Sequence, residues 1–120
     1  MAHKILLVDD ETIILREIGA FLREAGYEVA EAWNGEEAVR RLSDNPFDLV
    51  IADLMMPAGD GLYLAERIRA MAPDVPVLLL SGAAKMGRGE AKKFGLAGFI
   101  QKPIVPQKFL HQVKKVLEER

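Results

Sequence analysis

Five residues whose side chains suit phosphate and metal chemistry each follow a short apolar run. Asp9 and Asp10 come directly after the first run, and Asp53 comes directly after the third. Ser81 and Lys102 follow the last two runs in the same way. Three carboxylates, one hydroxyl and one ammonium therefore stand at equivalent points of the chain, where predicted strands end.

These residue types together predict metal-dependent phosphoryl transfer. Carboxylates held close together repel one another, so a site of this composition needs a cation at neutral pH. Oxygen ligands favour a hard cation, Mg²⁺ first and Mn²⁺ or Ca²⁺ next. A serine hydroxyl and a lysine ammonium bind phosphoryl oxygens, and a carboxylate can attack phosphorus to form an aspartyl phosphate. Asp9 and Asp10 are the better metal pair, and Asp53 is the better acceptor.

The elements that must position these side chains are predicted from the spacing of apolar residues. Runs that are apolar throughout indicate strands covered on both faces, whereas the alternating second run is typical of an edge strand. Apolar residues between and after the runs recur at helical spacing and predict five helices, the fourth a short one from about Gly89 to Phe94. The predicted strands are residues 5–8, 27–32, 49–52, 77–80 and 98–101.

Alternating strands and helices predict an α/β fold with a doubly wound parallel sheet. Ligands of such sheets bind beyond the carboxyl ends of the strands, so the five polar residues are expected to meet at one edge, which we call the carboxyl rim. Periodicity does not determine the strand order. Trp33 is predicted to pack in the loop after the second strand.

Composition excludes several other classes of protein. The 120 residues suffice for one domain, and 16 basic against 18 acidic residues give a net charge of −2, which argues against direct binding to nucleic acid. The chain has no cysteine, which fits a cytoplasmic location. No apolar run approaches the ~20 residues that span a bilayer, so no membrane association is expected.

Each rim residue also has an ordinary structural explanation. An aspartate after a strand often caps the next helix, and a lone serine or Lys-Pro pair is common in loops. Helix capping does not explain a serine and a lysine at the two remaining strand ends. The conjunction therefore favours a functional site over five separate structural roles.

Four stretches of the chain, in this order, match a known family. They are Ile5–Glu11 (ILLVDDE), Asp53–Gly61 (DLMMPAGDG), Ser81–Ala83 (SGA) and Gly98–Pro103 (GFIQKP). On the strength of these stretches, the chain resembles the receiver domain of two-component response regulators, and residues 1–120 would form one such domain.

The resemblance implies a fold and a function. The sheet would have the flavodoxin-like order 2-1-3-4-5. Asp53 would be phosphorylated by a sensor histidine kinase or a phosphotransfer protein, and the signal would pass to a downstream protein target or an output domain. The domain would be a switch that supports its own phosphorylation and slow dephosphorylation, and not an enzyme acting on other substrates.

The resemblance also implies roles for particular residues. Mg²⁺ would be held by Asp10, Asp53 and the backbone carbonyl of Met55, with Asp9 assisting through water. The switch would consist of Ser81, whose hydroxyl would move onto the phosphoryl group, and Phe99, whose ring would then swing inward. The Lys102 ammonium would pair with a phosphoryl oxygen. The peptide bond between Lys102 and Pro103 would be cis, which would aim the ammonium into the site.

The alternative from another class is a small metal-dependent phosphohydrolase with an aspartyl nucleophile. Haloacid-dehalogenase-like enzymes place that nucleophile after the first strand in an Asp-x-Asp pattern and usually carry a cap in a longer chain. Here Asp9 and Asp10 are adjacent, and no residues remain for a cap. A flavodoxin-like cofactor binder is disfavoured because three consecutive acids, Asp9 to Glu11, would repel a phosphate.

The sequence predicts slow loss of phosphate from the phosphorylated chain. Met55 and Ala83 lie at two positions whose side chains, in receiver domains, influence attack by water on the acyl phosphate. Neither side chain can orient water by hydrogen bonding, so phosphate should persist for many minutes or longer in the purified, partner-free protein. A time course of intact mass measures this, and loss within seconds would contradict it.

Overall fold

Five parallel strands form one sheet. The computed structural model describes residues 2–54, 61–82 and 95–119. All strand pairings are parallel, and the spatial order is second, first, third, fourth, fifth. This confirms the α/β class and the flavodoxin-like order. The strands are β1 (Lys4–Val8), β2 (Glu28–Ala32), β3 (Leu49–Asp53), β4 (Val77–Ser81) and β5 (Gly98–Gln101).

Four helices lie within the described residues, whereas the short helix predicted over residues 89–94 lies outside them. Two of the four have a clear start: Asn34 caps the second, its Oδ1 accepting from the Glu37 N–H at 2.8 Å, and Pro106 is the first residue of the last. The helices are α1 (Thr12–Glu24), α2 (Gly35–Asp44), α3 (Gly61–Met71) and α4 (Pro106–Glu118).

The helices cover both faces of the sheet. On one face, side chains such as Val50 and Leu79 pack against Ala38 of α2 and Leu64 of α3. On the other face, the alternate residues of the same strands pack against α1 and α4, where Phe109 is fully buried. Side chains alternate along a strand, so two covered faces require the continuous apolar runs seen in the sequence. No helix among the described residues is long and apolar enough to cross a membrane.

The outer edge of β2 carries an arginine contact. The N–H of Glu28 donates to His3, and the carbonyl of Ala32 accepts from Asp9, so these alternate residues pair toward β1. The carbonyl of Val29 points the opposite way, and Arg23 Nη2 of α1 donates to it at 3.3 Å. The same nitrogen lies 3.3 Å from Glu31 Oε2. Arg23 thereby joins α1 to the open edge of the sheet.

The prediction that Trp33 packs in its loop is wrong, because 59% of this residue is exposed. Its backbone N–H donates to Glu37 Oε1 at 3.1 Å. The preceding residue, Ala32, is fully buried. Because successive residues of an extended chain point to opposite sides, Trp33 faces solvent while its backbone is fixed.

Replacing Phe109 by alanine tests the face covered by α4. Phe109 is the bulkiest of the fully buried side chains, so Phe109→Ala should lower the free energy of unfolding by about 3–5 kcal/mol. Urea unfolding measures the change. The neighbouring exposed substitution Lys108→Ala serves as control and should change it by less than about 0.5 kcal/mol. Equal losses in the two variants would contradict the packing described for α4.

Candidate functional site

Two aspartates stand at matching heights on neighbouring strands. Val8 of β1 pairs in register with Ala52 of β3, so the next residues, Asp9 and Asp53, lie side by side at the carboxyl rim. One carboxylate oxygen from each of Asp9, Asp10 and Asp53 lies within 4.8 Å of the others. The structure therefore brings together the three acids that the sequence places after the first and third strands.

Asp9 is a fully buried carboxylate with one hydrogen-bonded oxygen. Its Oδ1 accepts the backbone N–H of Glu11 at 2.9 Å, while its Oδ2 has no hydrogen-bond partner among the residues the structure describes. Burial raises the pKa of the Asp9 carboxyl from its ordinary value of 3.8 to about 6. The Glu11 hydrogen bond and the Lys102 charge lower this pKa, the Asp53 and Glu11 charges raise it further, and burial is the largest effect.

Lys102 places its ammonium between two carboxylates. The Lys102 N–H donates to the carbonyl of Ser81 at 2.7 Å, continuing the pairing of β5 with β4. Its Nζ lies 3.6 Å from Asp9 Oδ2 and 3.5 Å from Asp53 Oδ2. The Lys102 side chain is only 20% exposed, so solvent screens these ion pairs less than it would on the surface. The expected cis peptide bond between Lys102 and Pro103 is present.

The two predicted switch residues lie on β4 and β5. Ser81 is the last residue of β4 and is buried; it lies one position beyond Leu80, which pairs with Asp53. Phe99 of β5 pairs with Leu79 of β4 and is partly buried against the apolar cluster that α2 and α3 cover. Both residues thus belong to the half of the sheet that adjoins Asp53.

Two residues with expected roles, Met55 and Ala83, lie outside the described residues. One contribution was missed by sequence reasoning: the backbone N–H of Glu11, which binds Asp9 Oδ1. An aspartate side chain that accepts a backbone N–H two residues later is a common turn at the start of a helix. The position of Asp9 before α1 was therefore a usable signal for this contact.

The rim fits a small, hard cation. All three acidic groups offer oxygen, and the buried Asp9 Oδ2 lacks a hydrogen-bond donor among the described residues. A buried carboxylate oxygen without a donor is costly unless a charge compensates it. Oxygen ligands that leave room for water suit Mg²⁺, which keeps several waters and uses one or two carboxylates.

Residues 5–114 match the protein family described as "Response regulator receiver domain". The chain belongs to this family. Receiver domains accept a phosphoryl group on an aspartate, bind Mg²⁺ through acidic residues, and interact with histidine kinases and output domains. They are signalling domains and not true enzymes, so the phosphohydrolase alternative is not supported.

Similar sequences are regulators longer than this receiver domain. It is 35% identical over 118 residues to the transcriptional regulatory protein PrrA of Mycobacterium tuberculosis, covering 98% of this chain and 51% of PrrA. It is 33% identical over 114 residues to the transcriptional regulatory protein ResD of Bacillus subtilis, covering 95% of this chain and 48% of ResD. The receiver domain therefore spans about half the length of these curated relatives.

Solved structures of similar length share the fold. A CheY-like receiver domain from Methanospirillum hungatei JF-1 superposes with a TM-score of 0.92 at 28% identity, covering 99% of this chain and 96% of that one. The chemotaxis protein CheY4 of Vibrio cholerae gives a TM-score of 0.89 at 30% identity, covering 97% and 99%.

The raised pKa of Asp9 predicts an unusual pH dependence of stability in the metal-free receiver domain. Between pH 3.8 and about 6 the folded chain holds a proton on Asp9 that the unfolded chain releases. The contribution of Asp9 to the free energy of unfolding therefore falls as pH rises through this window and is constant above it. Asp9→Asn keeps an oxygen that can accept the Glu11 N–H but cannot lose a proton, so its free energy of unfolding should not fall in this way. Above pH 6 the variant should therefore be more stable than wild type by about 1–3 kcal/mol.

Urea unfolding in EDTA from pH 4 to 8 measures the difference between wild type and Asp9→Asn. The matched control is Asp44→Asn, which removes an exposed carboxylate at the end of α2. A stability difference that does not grow between pH 4 and 6 would show that the buried Asp9 charge has no such cost.

Proposed function

We propose that residues 1–120 form one receiver domain in which Asp53 accepts a phosphoryl group from a phosphohistidine. The donor is a sensor histidine kinase or a phosphotransfer protein. The observation that carries the proposal is the position of the Lys102 ammonium, within 3.6 Å of carboxylate oxygens of both Asp9 and Asp53. A cation held beside a carboxylate at a strand end can bind the phosphoryl oxygens that arrive there.

Asp53 is a better acceptor than either neighbouring acid. Asp9 is fully buried, and one of its oxygens is engaged by the Glu11 N–H. Asp10 is exposed in the loop before α1. Asp53 is the last residue of β3, the central strand of the sheet, and its carboxylate lies beside the Lys102 ammonium. It therefore combines a nearby cation with a carboxylate at the rim.

The acids at the rim would hold the metal. Asp10, Asp53 and the backbone carbonyl of Met55 are the proposed ligands of Mg²⁺, with Mn²⁺ as a substitute, and Asp9 assists through water. Bound there, the ion would neutralise charge on the transferring phosphoryl group. Two observations support this arrangement: Asp9 Oδ2 accepts no hydrogen bond from the described residues, and the acids lie close together.

The transfer balances with the groups named. An Asp53 carboxylate oxygen forms the new bond to phosphorus as the bond from phosphorus to the donor's imidazole nitrogen breaks. The imidazole keeps the electron pair of the broken bond. Lys102 pairs with a phosphoryl oxygen throughout, which requires its ammonium to shift from Asp9 and Asp53 toward that oxygen.

The new charge operates the proposed switch. A phosphoryl group adds about −1.5 to −2 charge at neutral pH. The Ser81 hydroxyl donates to it, and the movement of β4 lets the Phe99 ring turn inward. This changes the surface presented to a downstream protein target or an output domain. The near-neutral balance of the chain argues against direct nucleic-acid binding, and its lack of cysteine supports the cytoplasm as its location.

Acetyl phosphate with Mg²⁺ should add one phosphoryl group to the chain, as measured by intact mass. Asp53→Ala should abolish the adduct, and omission of Mg²⁺ should reduce its rate by at least about tenfold because charge on the transferring group is no longer neutralised. Asp44→Asn is the control for a carboxylate away from the rim and should label like wild type. An adduct that persists in Asp53→Ala would move the acceptor to another residue.

A further inference from the structure

Gly61, the first residue of α3, lies against the end of β3. Its N–H donates to the carbonyl of Leu54 at 3.2 Å, and the residue is buried. Leu54 directly follows Asp53, and its own N–H donates to the carbonyl of Leu80 on β4 at 2.8 Å. The backbone that carries Asp53 is thus held by β4 on one side and by the start of α3 on another.

The contact at Gly61 leaves no room for a side chain. A Cβ placed there would lie 2.7 Å from the carbonyl oxygen of Asp53 and 2.7 Å from Leu79 Cδ2. It would also lie 3.2 Å from Leu54 Cα. Ordinary contacts begin near 3.4 Å, so the Asp53 carbonyl or the helix would have to retreat by about half an ångström or more.

Such a retreat bears directly on the site. The Leu79 methyl is the end of a side chain and can rotate, but the Asp53 carbonyl is backbone and moves only with its residue. Lys102 Nζ lies 3.5 Å from Asp53 Oδ2, and the rim acids lie within 4.8 Å of one another. Displacing Asp53 by a large fraction of an ångström changes these distances together, and misplacement by about 1 Å can slow a reaction roughly a hundredfold.

We propose that Gly61 is a positioning residue for phosphorylation: its missing side chain lets α3 press against the backbone of Asp53 and set that carboxylate relative to Lys102 and the metal ligands. The proposal rests on Asp53 being the acceptor, as proposed above. It assigns to Gly61 a role in the rate of phosphoryl transfer that is separate from its contribution to folding.

Gly82 and Val113 supply matched controls. Among the residues that the structure describes, a Cβ at Gly82 would meet only Lys102 Cδ, at 3.8 Å, so Gly82→Ala adds the same methyl at the same rim without displacing described backbone. Val113 is a buried residue of α4, which covers the opposite face of the sheet from α3, so Val113→Ala lowers stability away from the rim.

The experiment compares the rates at which wild type, Gly61→Ala, Gly82→Ala and Val113→Ala are labelled by acetyl phosphate, well below their melting temperatures. Gly61→Ala should be labelled roughly ten- to hundredfold more slowly at saturating Mg²⁺ and should need more Mg²⁺ for half-maximal labelling. The two controls should stay within about threefold of wild type. A Gly61→Ala rate within that range, or an equal slowing in Val113→Ala, would overturn the proposal.

The double variant Gly61→Ala/Leu79→Val separates the backbone contact from the side-chain contact. Valine lacks the Cδ2 that the new methyl would strike, so the double variant should regain thermal stability but remain slow relative to Leu79→Val alone. Recovery of the Leu79→Val rate would overturn the proposal, since packing against Leu79 would then be the cause. Failure of both Gly61 variants to fold would also overturn it, because Gly61 would then serve the fold.

The wild-type result distinguishes this proposal from the one on which it rests. Absence of labelling on Asp53 in wild type would refute the proposed function and this inference together. Labelling of wild type with no selective slowing in Gly61→Ala would refute only the role of Gly61.

Discussion

Mutual repulsion among carboxylates at one end of a parallel sheet is the constraint on which this structure depends. Asp9 and Asp53 stand side by side because β1 and β3 are paired in register, and Asp10 follows in the chain. Because Asp9 is fully buried, bulk water screens this repulsion only weakly, and the Lys102 ammonium lies near both carboxylates from just beyond the end of β5. The site is therefore assembled by strands that lie far apart in the sequence.

The rest of the molecule holds this unfavourable arrangement in place. Apolar side chains on both faces of the sheet pack under the four described helices. This close packing restricts the movement of the strands and therefore of the residues at their ends. Two backbone hydrogen bonds at the rim, from the Asp9 N–H to Ala32 and from the Lys102 N–H to Ser81, continue the strand pairing one residue beyond β1 and β5. Backbone hydrogen bonds thus fix the positions of the residues that carry the charged side chains.

Much of this could be predicted from the sequence. Continuous apolar runs and one alternating run identified the strands to within one residue at each end, and parallel strands with polar residues after them predicted the rim. The strand order came from the family resemblance. The sequence could not predict that Trp33 is exposed, because a tryptophan after a strand is compatible with either side. Nor could it predict the close approach of Gly61 to Asp53 or the burial that raises the pKa of Asp9, because both depend on distances between elements set by tertiary packing.

The contact of Arg23 with the outer edge of β2 has a consequence for behaviour at high concentration. A strand at the edge of a sheet exposes hydrogen-bonding groups that can template a strand from another chain. Arg23 occupies the outward carbonyl of Val29, and Glu31 beside it adds a charge that an incoming strand would have to desolvate. Pairing with a strand of another chain is thereby disfavoured on this side of the sheet, so this edge does not favour aggregation.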